Sequence, residues 1–121
     1  MDAETDLFVQ AFWVKCRETI RPELDDAQDR LRDAGHEANI STLEFSPDQA
    51  TSPDGAPALV LTVHRSGASD AIVLRYRGDV PAREVEITMP GVKPARVDMA
   101  AVDEAMVKRH VSACFGALLK S

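Results

Sequence analysis

Three runs of alternating apolar residues decide the fold, and they lie in the stretch ALVLTVHRSGASDAIVLRYRGDVPAREVEITM, residues 58–89. Within each run every second position is apolar, which is the period of a strand with one buried face. The apolar positions are Leu59, Leu61 and Val63, then Ile72, Leu74 and Tyr76, then Val85, Ile87 and Met89. Turn residues at 66–69 and 79–82 separate the runs. Three consecutive strands with short turns predict an antiparallel meander.

Charged residues on these strands support one pairing register. A four-residue turn at 66–69 places Arg65 opposite Asp70. A similar turn at 79–82 places two more pairs of opposite charge across from each other, Arg75 with Glu86 and Arg77 with Glu84. Opposite charges stabilise such cross-strand positions only weakly. They therefore support the register without establishing it.

The chain before Gly35 has the period of a helix. Apolar residues recur there at steps of three and four, at Val9, Trp13, Cys16, Ile20, Leu24, Ala27, Leu31 and Ala34. This spacing predicts a helix over residues 3–34 that Gly35 ends. Pro22 would clash with the carbonyl of Glu18, so a kink or a break is expected. Because the apolar stripe continues in phase across Pro22, a kink is favoured.

The remaining segments complete the predicted order of elements. Residues 38–45 read as a further strand, and residues 46–56 read as a loop. Residues 92–97, which contain Pro94, read as a short edge strand or an extended segment. Asp98 is the expected N-cap of a C-terminal helix. The apolar face of that helix comprises Val107, Val111, Cys114, Phe115, Leu118 and Leu119.

These elements predict an α+β fold in a single domain, residues 1–121. Its two layers are a four- or five-stranded antiparallel meander sheet and a flanking pair of helices, one long, kinked and N-terminal, the other C-terminal. The chain has 121 residues, of which 45% are hydrophobic and 28% charged, values typical of a globular domain with one core.

Charge and composition argue against several classes of partner. The net charge of −6 disfavours nucleic acid and anionic membranes, because both are bound through Lys and Arg. The apolar stretches are too short for a membrane span. Acidic residues precede Leu7, unlike a secretory signal, so a cytoplasmic location is expected. Cys16 and Cys114 lie on apolar helix stripes and are expected to be buried, unreactive thiols.

No motif for catalysis, cofactor binding or metal binding is present in the sequence. His36, His64 and His110 are far apart and show no metal-ligand spacing. Neither a nucleophile elbow nor a glycine-rich phosphate loop occurs. We therefore expect no cofactor, and we favour a non-enzymatic role.

Two surfaces are candidates for binding another protein. Residues 7–14 of the N-terminal helix are apolar around most of its circumference, and the second face of the sheet is semi-apolar with a charged end. The candidate residues are Leu7, Phe8, Phe12, Val60, Thr62, Val73, Arg75 and Arg77. The leading hypothesis is a small protein-interaction domain that forms a homodimer through the helix.

Two other hypotheses remain open. Acidic residues on the N-terminal helix could mask a basic client, as secretion chaperones and immunity proteins do; they are Glu23, Asp25, Asp26, Asp29 and Asp33. Alternatively, a pocket between the sheet and this helix could bind a small ligand or a substrate. His64 or Tyr76 would line that pocket.

Overall fold

The fold consists of one sheet and one layer of helices. A computed structural model describes residues 3–49 and 55–119. The helices are α1 (Ala3–Lys15), a π-helical turn (Cys16–Ile20), α2 (Arg21–Asp33) and α3 (Glu104–Leu119). The strands are β1 (Glu37–Leu43), β2 (Ala58–His64), β3 (Ala71–Asp79), β4 (Glu84–Thr88) and β5 (Ala95–Val97). They form an antiparallel sheet in the order β1-β2-β3-β4-β5, which confirms the predicted α+β meander.

The N-terminal helix continues past Pro22 because a π turn precedes the proline. Pro22 has no N–H to donate to the carbonyl of Glu18. In the π turn, the N–H of Arg21 instead donates to the carbonyl of Cys16, five residues earlier. The wider turn accommodates the ring while Cys16 and Ile20 stay in the core. The irregularity predicted at Pro22 therefore takes the form of a π turn.

The core lies between the helices and a single face of the sheet. The helices contribute Phe12, Cys16, Ile20, Leu24, Ala27, Leu31, Val107, Val111 and Phe115. The strands contribute Ala38, Leu59, Leu61, Val63, Leu74, Tyr76, Val85 and Ile87. These strand residues alternate along each chain and so share one face. The opposite face of the sheet belongs to no part of this core.

Two aromatic residues of α1, Phe8 and Phe12, are buried within the chain itself. Phe12 packs where β3 carries Gly78. A Cβ at Gly78 would lie 3.2 Å from Cδ1 of Phe12 and 3.1 Å from Cγ of Pro57, so a larger residue there would force these side chains to shift. The apolar α1 segment is thus partly covered by its own sheet, and Leu7 and Val14 remain exposed.

The β2–β3 register agrees with the sequence prediction. Val63 lies opposite Ile72, and Nη2 of Arg65 lies 3.3 Å from Oδ1 of Asp70. The apolar residues alternate without interruption on both strands. A shift of the pairing register by one residue would therefore have moved the apolar side chains of one strand out of the core.

The β3–β4 register differs from the prediction by two residues. Arg77 pairs with Glu86, and Arg75 pairs with Thr88. Asp79 causes the shift, because its carboxylate accepts a hydrogen bond from the Ala82 amide at 3.2 Å and so places the turn at residues 80–83. The predicted pairs Arg75–Glu86 and Arg77–Glu84 are therefore wrong as directly opposed pairs.

The start of α3 also differs from the prediction. Its N-cap is Asp103, whose Oδ1 accepts a hydrogen bond from the Met106 amide at 2.8 Å. Asp98 instead precedes a separate 3₁₀ turn, Met99–Ala101, and makes no side-chain cap. Val102 lies between the two helical segments in extended backbone and is fully buried. Burial of Val102 requires this break, so the helix begins later than the sequence predicts.

Candidate functional site

The face of the sheet opposite the helices carries a compact semi-apolar patch. Alternation along the strands places Val60, Thr62 and Val73 there, each half-buried. Val60 lies opposite Arg75, and Thr62 lies opposite Val73. Leu43, at the end of β1, is 53% exposed on the same face. We call Leu43, Val60, Thr62, Val73 and Arg75 the open-face patch.

A network of ion pairs adjoins this patch. Its members are Arg75, Arg77, Asp79, Glu84, Glu86 and Arg96. Glu86 lies at the centre, 3.1 Å from Nε of Arg77 and 3.1 Å from Nη2 of Arg96. The hydrogen bond from Arg77 lowers the pKa of Glu86, although burial opposes the shift. Arg77 itself is only 8% exposed, so it serves the network and offers little surface to a partner.

Asp79 is the second important carboxylate of the network, and it connects the network to the β3–β4 turn. Burial tends to raise the pKa of Asp79, but hydrogen bonds from Arg96 and the Ala82 amide, with the positive charges nearby, lower it overall. Asp79 therefore stays ionised and holds the turn and Arg96 of β5 together.

Arg75 is the cation whose donors are least used. Its Nη2 donates to Oγ1 of Thr88 at 3.4 Å and lies 3.9 Å from Oε1 of Glu86, both long contacts. Its buried Nε has no hydrogen-bond partner among the described residues. The side chain is still 39% exposed. Arg75 can therefore donate to a carboxylate that a partner brings to the open-face patch.

The candidate residues on α1 lie on the other side of the sheet. Phe12 is fully buried, Phe8 nearly so, and Leu7 is 64% exposed. The structure brings Val60, Thr62, Val73 and Arg75 together but does not bring α1 to them. Leu43 completes the patch, although it is not among the residues predicted to bind a partner. Its sequence signal is the odd spacing from Ile40, which places the two side chains on opposite faces of β1.

The two residues that were expected to line a pocket between the sheet and the N-terminal helix do not lie together. Tyr76 and His64 lie on opposite faces of the sheet, because they are on neighbouring strands at core and open-face positions respectively. The hydroxyl of Tyr76 is instead hydrogen-bonded to Nδ1 of His110 at 2.8 Å, inside the helix–sheet interface. Burial raises the pKa of Tyr76, and burial together with Arg109 lowers the pKa of His110.

Both cysteines near Tyr76 are weak nucleophiles. Burial raises the pKa of the Cys16 thiol to about 12 and that of the Cys114 thiol to about 11. A thiol with so high a pKa forms almost no thiolate at neutral pH. Tyr76, His110 and the two thiols therefore form an interior cluster rather than an activated nucleophile and base.

A groove of about 290 Å³ runs between α2 and α3. Its lining is Glu23, Asp26, Arg30, Lys108, Val111, Ser112, Gly116 and Leu119. Two of the five acidic residues of α2 are paired along the helix: Asp26 lies 3.5 Å from Arg30, and Asp25 lies 3.7 Å from Arg21. This pairing reduces the negative field that a basic client would require.

Comparisons with family models, with curated proteins and with solved structures find no match. Within residues 3–49 and 55–119, no helix is long and apolar enough to cross a membrane. The same residues contain no group of three or more His, Cys, Asp or Glu side chains placed to hold a metal ion.

Proposed function

We propose that the protein is a small non-enzymatic interaction domain that works as a homodimer and binds another protein through the open-face patch. The observation that carries the proposal is a sheet face outside the core on which half-buried aliphatic side chains adjoin a cation with free donors. A semi-apolar centre with a polar rim is the usual composition of transient protein contacts. The two free thiols suit the reducing cytoplasm.

The patch specifies the chemistry of the partner. A carboxylate on the partner can accept hydrogen bonds from the Nη atoms of Arg75, whose side chain is 39% exposed. Apolar side chains beside that carboxylate would cover Val60, Val73 and Leu43 and exclude water from the ion pair. We therefore expect the partner segment to carry Asp or Glu flanked by large apolar residues.

The alternative of masking a basic client has weaker support. Two of the five acidic residues of α2, Asp25 and Asp26, form ion pairs with arginines of the same helix. On the open face, Glu86 and Asp79 are held by the arginines of the network. On the open face, therefore, few carboxylates are left to attract a basic partner, so an acidic partner fits that face better.

A peptide selection tests the proposed chemistry directly. A random 12-residue peptide library displayed on phage is selected against the immobilised protein, and the enriched peptides are synthesised. We expect sequences with one acidic residue between apolar ones. Enrichment of Lys and Arg would instead overturn the acidic-partner proposal in favour of the masking function.

Matched variants then locate the binding surface. Val73→Glu and Arg75→Ala should each weaken binding of a selected peptide at least about tenfold, as loss of a central interface contact does. Val92→Glu is the control, because Val92 is an exposed valine in the β4–β5 loop. Equal binding by Val73→Glu and Val92→Glu would show that the open-face patch is not the site.

A further inference from the structure

The two edges of the sheet differ in how they are protected. β5 has three residues, follows Pro94, and carries Arg96 in the ion-pair network. Short length, proline and charge all discourage pairing with another strand. β1 has seven residues, and its segment from Ala38 to Leu43 carries no charge. β1 is therefore the edge that is open to pairing.

Hydrogen bonds from α2 identify which backbone groups of β1 point outward. The carbonyl of Ala38 accepts from Nε2 of Gln28 at 3.1 Å and from Nε of Arg32 at 3.0 Å. These two bonds use both lone pairs, so this carbonyl points away from β2. Outward and inward groups alternate in an antiparallel strand, so Ile40 and Thr42 also point outward.

Counting residues 3–49 and 55–119 alone, the part of the edge that has no hydrogen-bond partner is thus short and well defined. Helix α2 caps it at Ala38, and the strand ends at Leu43. Between these limits, the N–H and carbonyl groups of Ile40 and Thr42 are the outward set. Thr42 is exposed and Ile40 is half-buried, so a strand can reach both.

We propose that a second copy of the chain pairs antiparallel with β1 about a two-fold axis at Ser41, which joins two sheets into one of ten strands. This inference rests on the proposed homodimer, and it places the interface at β1 instead of at α1, where Phe8 and Phe12 are buried within the chain itself. In this register Ile40 lies opposite the partner's Thr42, and the two copies exchange four backbone hydrogen bonds. An interface with two-fold symmetry is the commonest arrangement in soluble homo-oligomers.

This register is the one that the free backbone groups allow. If the register shifted by two residues so that the axis lay at Ile40, pairing would require the Ala38 carbonyl, to which side chains of α2 already donate. If the axis lay at Thr42, pairing would require the backbone of Glu44, which lies beyond β1. With the axis at Ser41, the paired segments are residues 40–42 of the two copies, which carry no charge, so no like charges meet there.

The pairing also affects the open-face patch. Residues directly opposite in an antiparallel pair share one face, and Ser41 lies on the same face as Val60. Both open-face patches would therefore lie on one side of the ten-stranded sheet. A partner with two binding segments could then engage both copies at once.

Two variants test the interface. Thr42→Pro removes an outward N–H that makes no bond to β2. Because the interface is symmetric, the substitution removes two intermolecular hydrogen bonds. The dissociation constant of the dimer, measured by sedimentation, should therefore rise about 30-fold or more.

Ser41→Cys, in a Cys114→Ser background, should form an intermolecular disulfide on oxidation, because Cβ atoms of directly opposed residues lie about 5 Å apart. Leu43→Cys in the same background is the control, since it faces the partner's Asn39 and should not cross-link.

The outcomes separate this inference from the proposed function. A monomeric wild type would overturn both the homodimer and the β1 interface, while peptide binding to the open-face patch is measured independently. A dimer that persists in Thr42→Pro and does not cross-link through Ser41→Cys would overturn the β1 interface alone. If Thr42→Pro fails to fold, the cross-linking contrast between Ser41→Cys and Leu43→Cys decides.

Discussion

At the scale of single residues, Glu86 shows how a half-buried charge is retained. Its carboxylate is shared by Arg77 and Arg96 at 3.1 Å and by Arg75 at 3.9 Å. A carboxylate removed from water needs such partners, because desolvation otherwise favours its neutral form. The sequence predicts that opposite charges meet across these strands. It does not predict which residues meet, because the turn that Asp79 caps sets the register.

We predict that Glu86→Gln lowers the free energy of unfolding at pH 7 by about 2 kcal/mol, because buried Arg77 loses its nearest carboxylate and keeps only Asp79, 3.8 Å away. The pKa of Glu86 is lowered from its ordinary value of 4.5, so its stabilisation is present above that pH and is lost as pH falls through the folded-state pKa. Urea unfolding at pH 7 and pH 3 should therefore show a smaller difference at pH 3.

Glu104→Gln is the matched control for this substitution. Glu104 pairs with Lys108 at 2.8 Å on the exposed side of α3, where water screens the pair. We expect no measurable loss of stability. If the two variants lose the same free energy of unfolding at pH 7, the ion pairs of Glu86 stabilise the fold no more than the exposed Glu104–Lys108 pair does.

We predict that wild-type stability falls as pH drops below 6.5, in part through His110. Burial and Arg109 lower the pKa of His110 from its ordinary 6.5, so the unfolded chain takes up a proton first. Urea unfolding between pH 7.5 and 5.5 should show a steeper decline for wild type than for His110→Gln. His36 and His64 are present in both proteins, so their contribution cancels in the comparison. Parallel declines would assign the pH dependence to groups other than His110.

At the scale of elements, the sequence predicts which segments are helices and strands better than it predicts their ends. A buried face repeats along an element, so its period can be read from local residues. The end of an element depends on groups elsewhere. Val102 must reach the core, so α3 starts at Glu104 and not after Asp98. The π turn likewise reconciles Pro22 with a helix face that stays buried on both sides of it.

We predict that Asp103→Ala costs about 1 kcal/mol of stability, whereas Asp98→Ala costs less than about 0.5 kcal/mol. Asp103 accepts the Met106 amide, which otherwise loses its partner at the first turn of α3. Asp98 makes no side-chain cap. Chemical denaturation of the two variants measures both values. A larger loss for Asp98→Ala would place the functional cap where the sequence predicts it.

At the scale of the whole molecule, the layer of helices covers one face of the sheet. The sequence predicts the composition of the second face, since strand parity assigns Val60, Thr62 and Val73 to it. It does not show which face α3 covers, because both faces carry apolar residues. It also does not predict that Phe12 is covered, because that depends on Gly78 in a distant strand. The part of the site set by local alternation was predictable, and the part set by long-range packing was not.

We predict that the same substitution destabilises the protein far more on the core face of the sheet than on the open face. Val63→Glu places a carboxylate in the core, where Val63 is fully buried, and should cost several kcal/mol. Val73→Glu places it on the half-buried open face, where water and Arg75 are near, and should cost less than about 1 kcal/mol.

Thermal melting at pH 7 distinguishes the two faces. About 4 °C per kcal/mol is expected for a domain of this size, so Val73→Glu should melt within about 4 °C of wild type. Val63→Glu should melt at least about 10 °C lower or fail to fold. Both valines lie on adjacent strands, at positions that differ in the face they occupy, so strand propensity changes equally in the two variants. A loss at Val73→Glu as large as that at Val63→Glu would mean that the second face is packed in the native state, which would remove the surface on which partner binding depends.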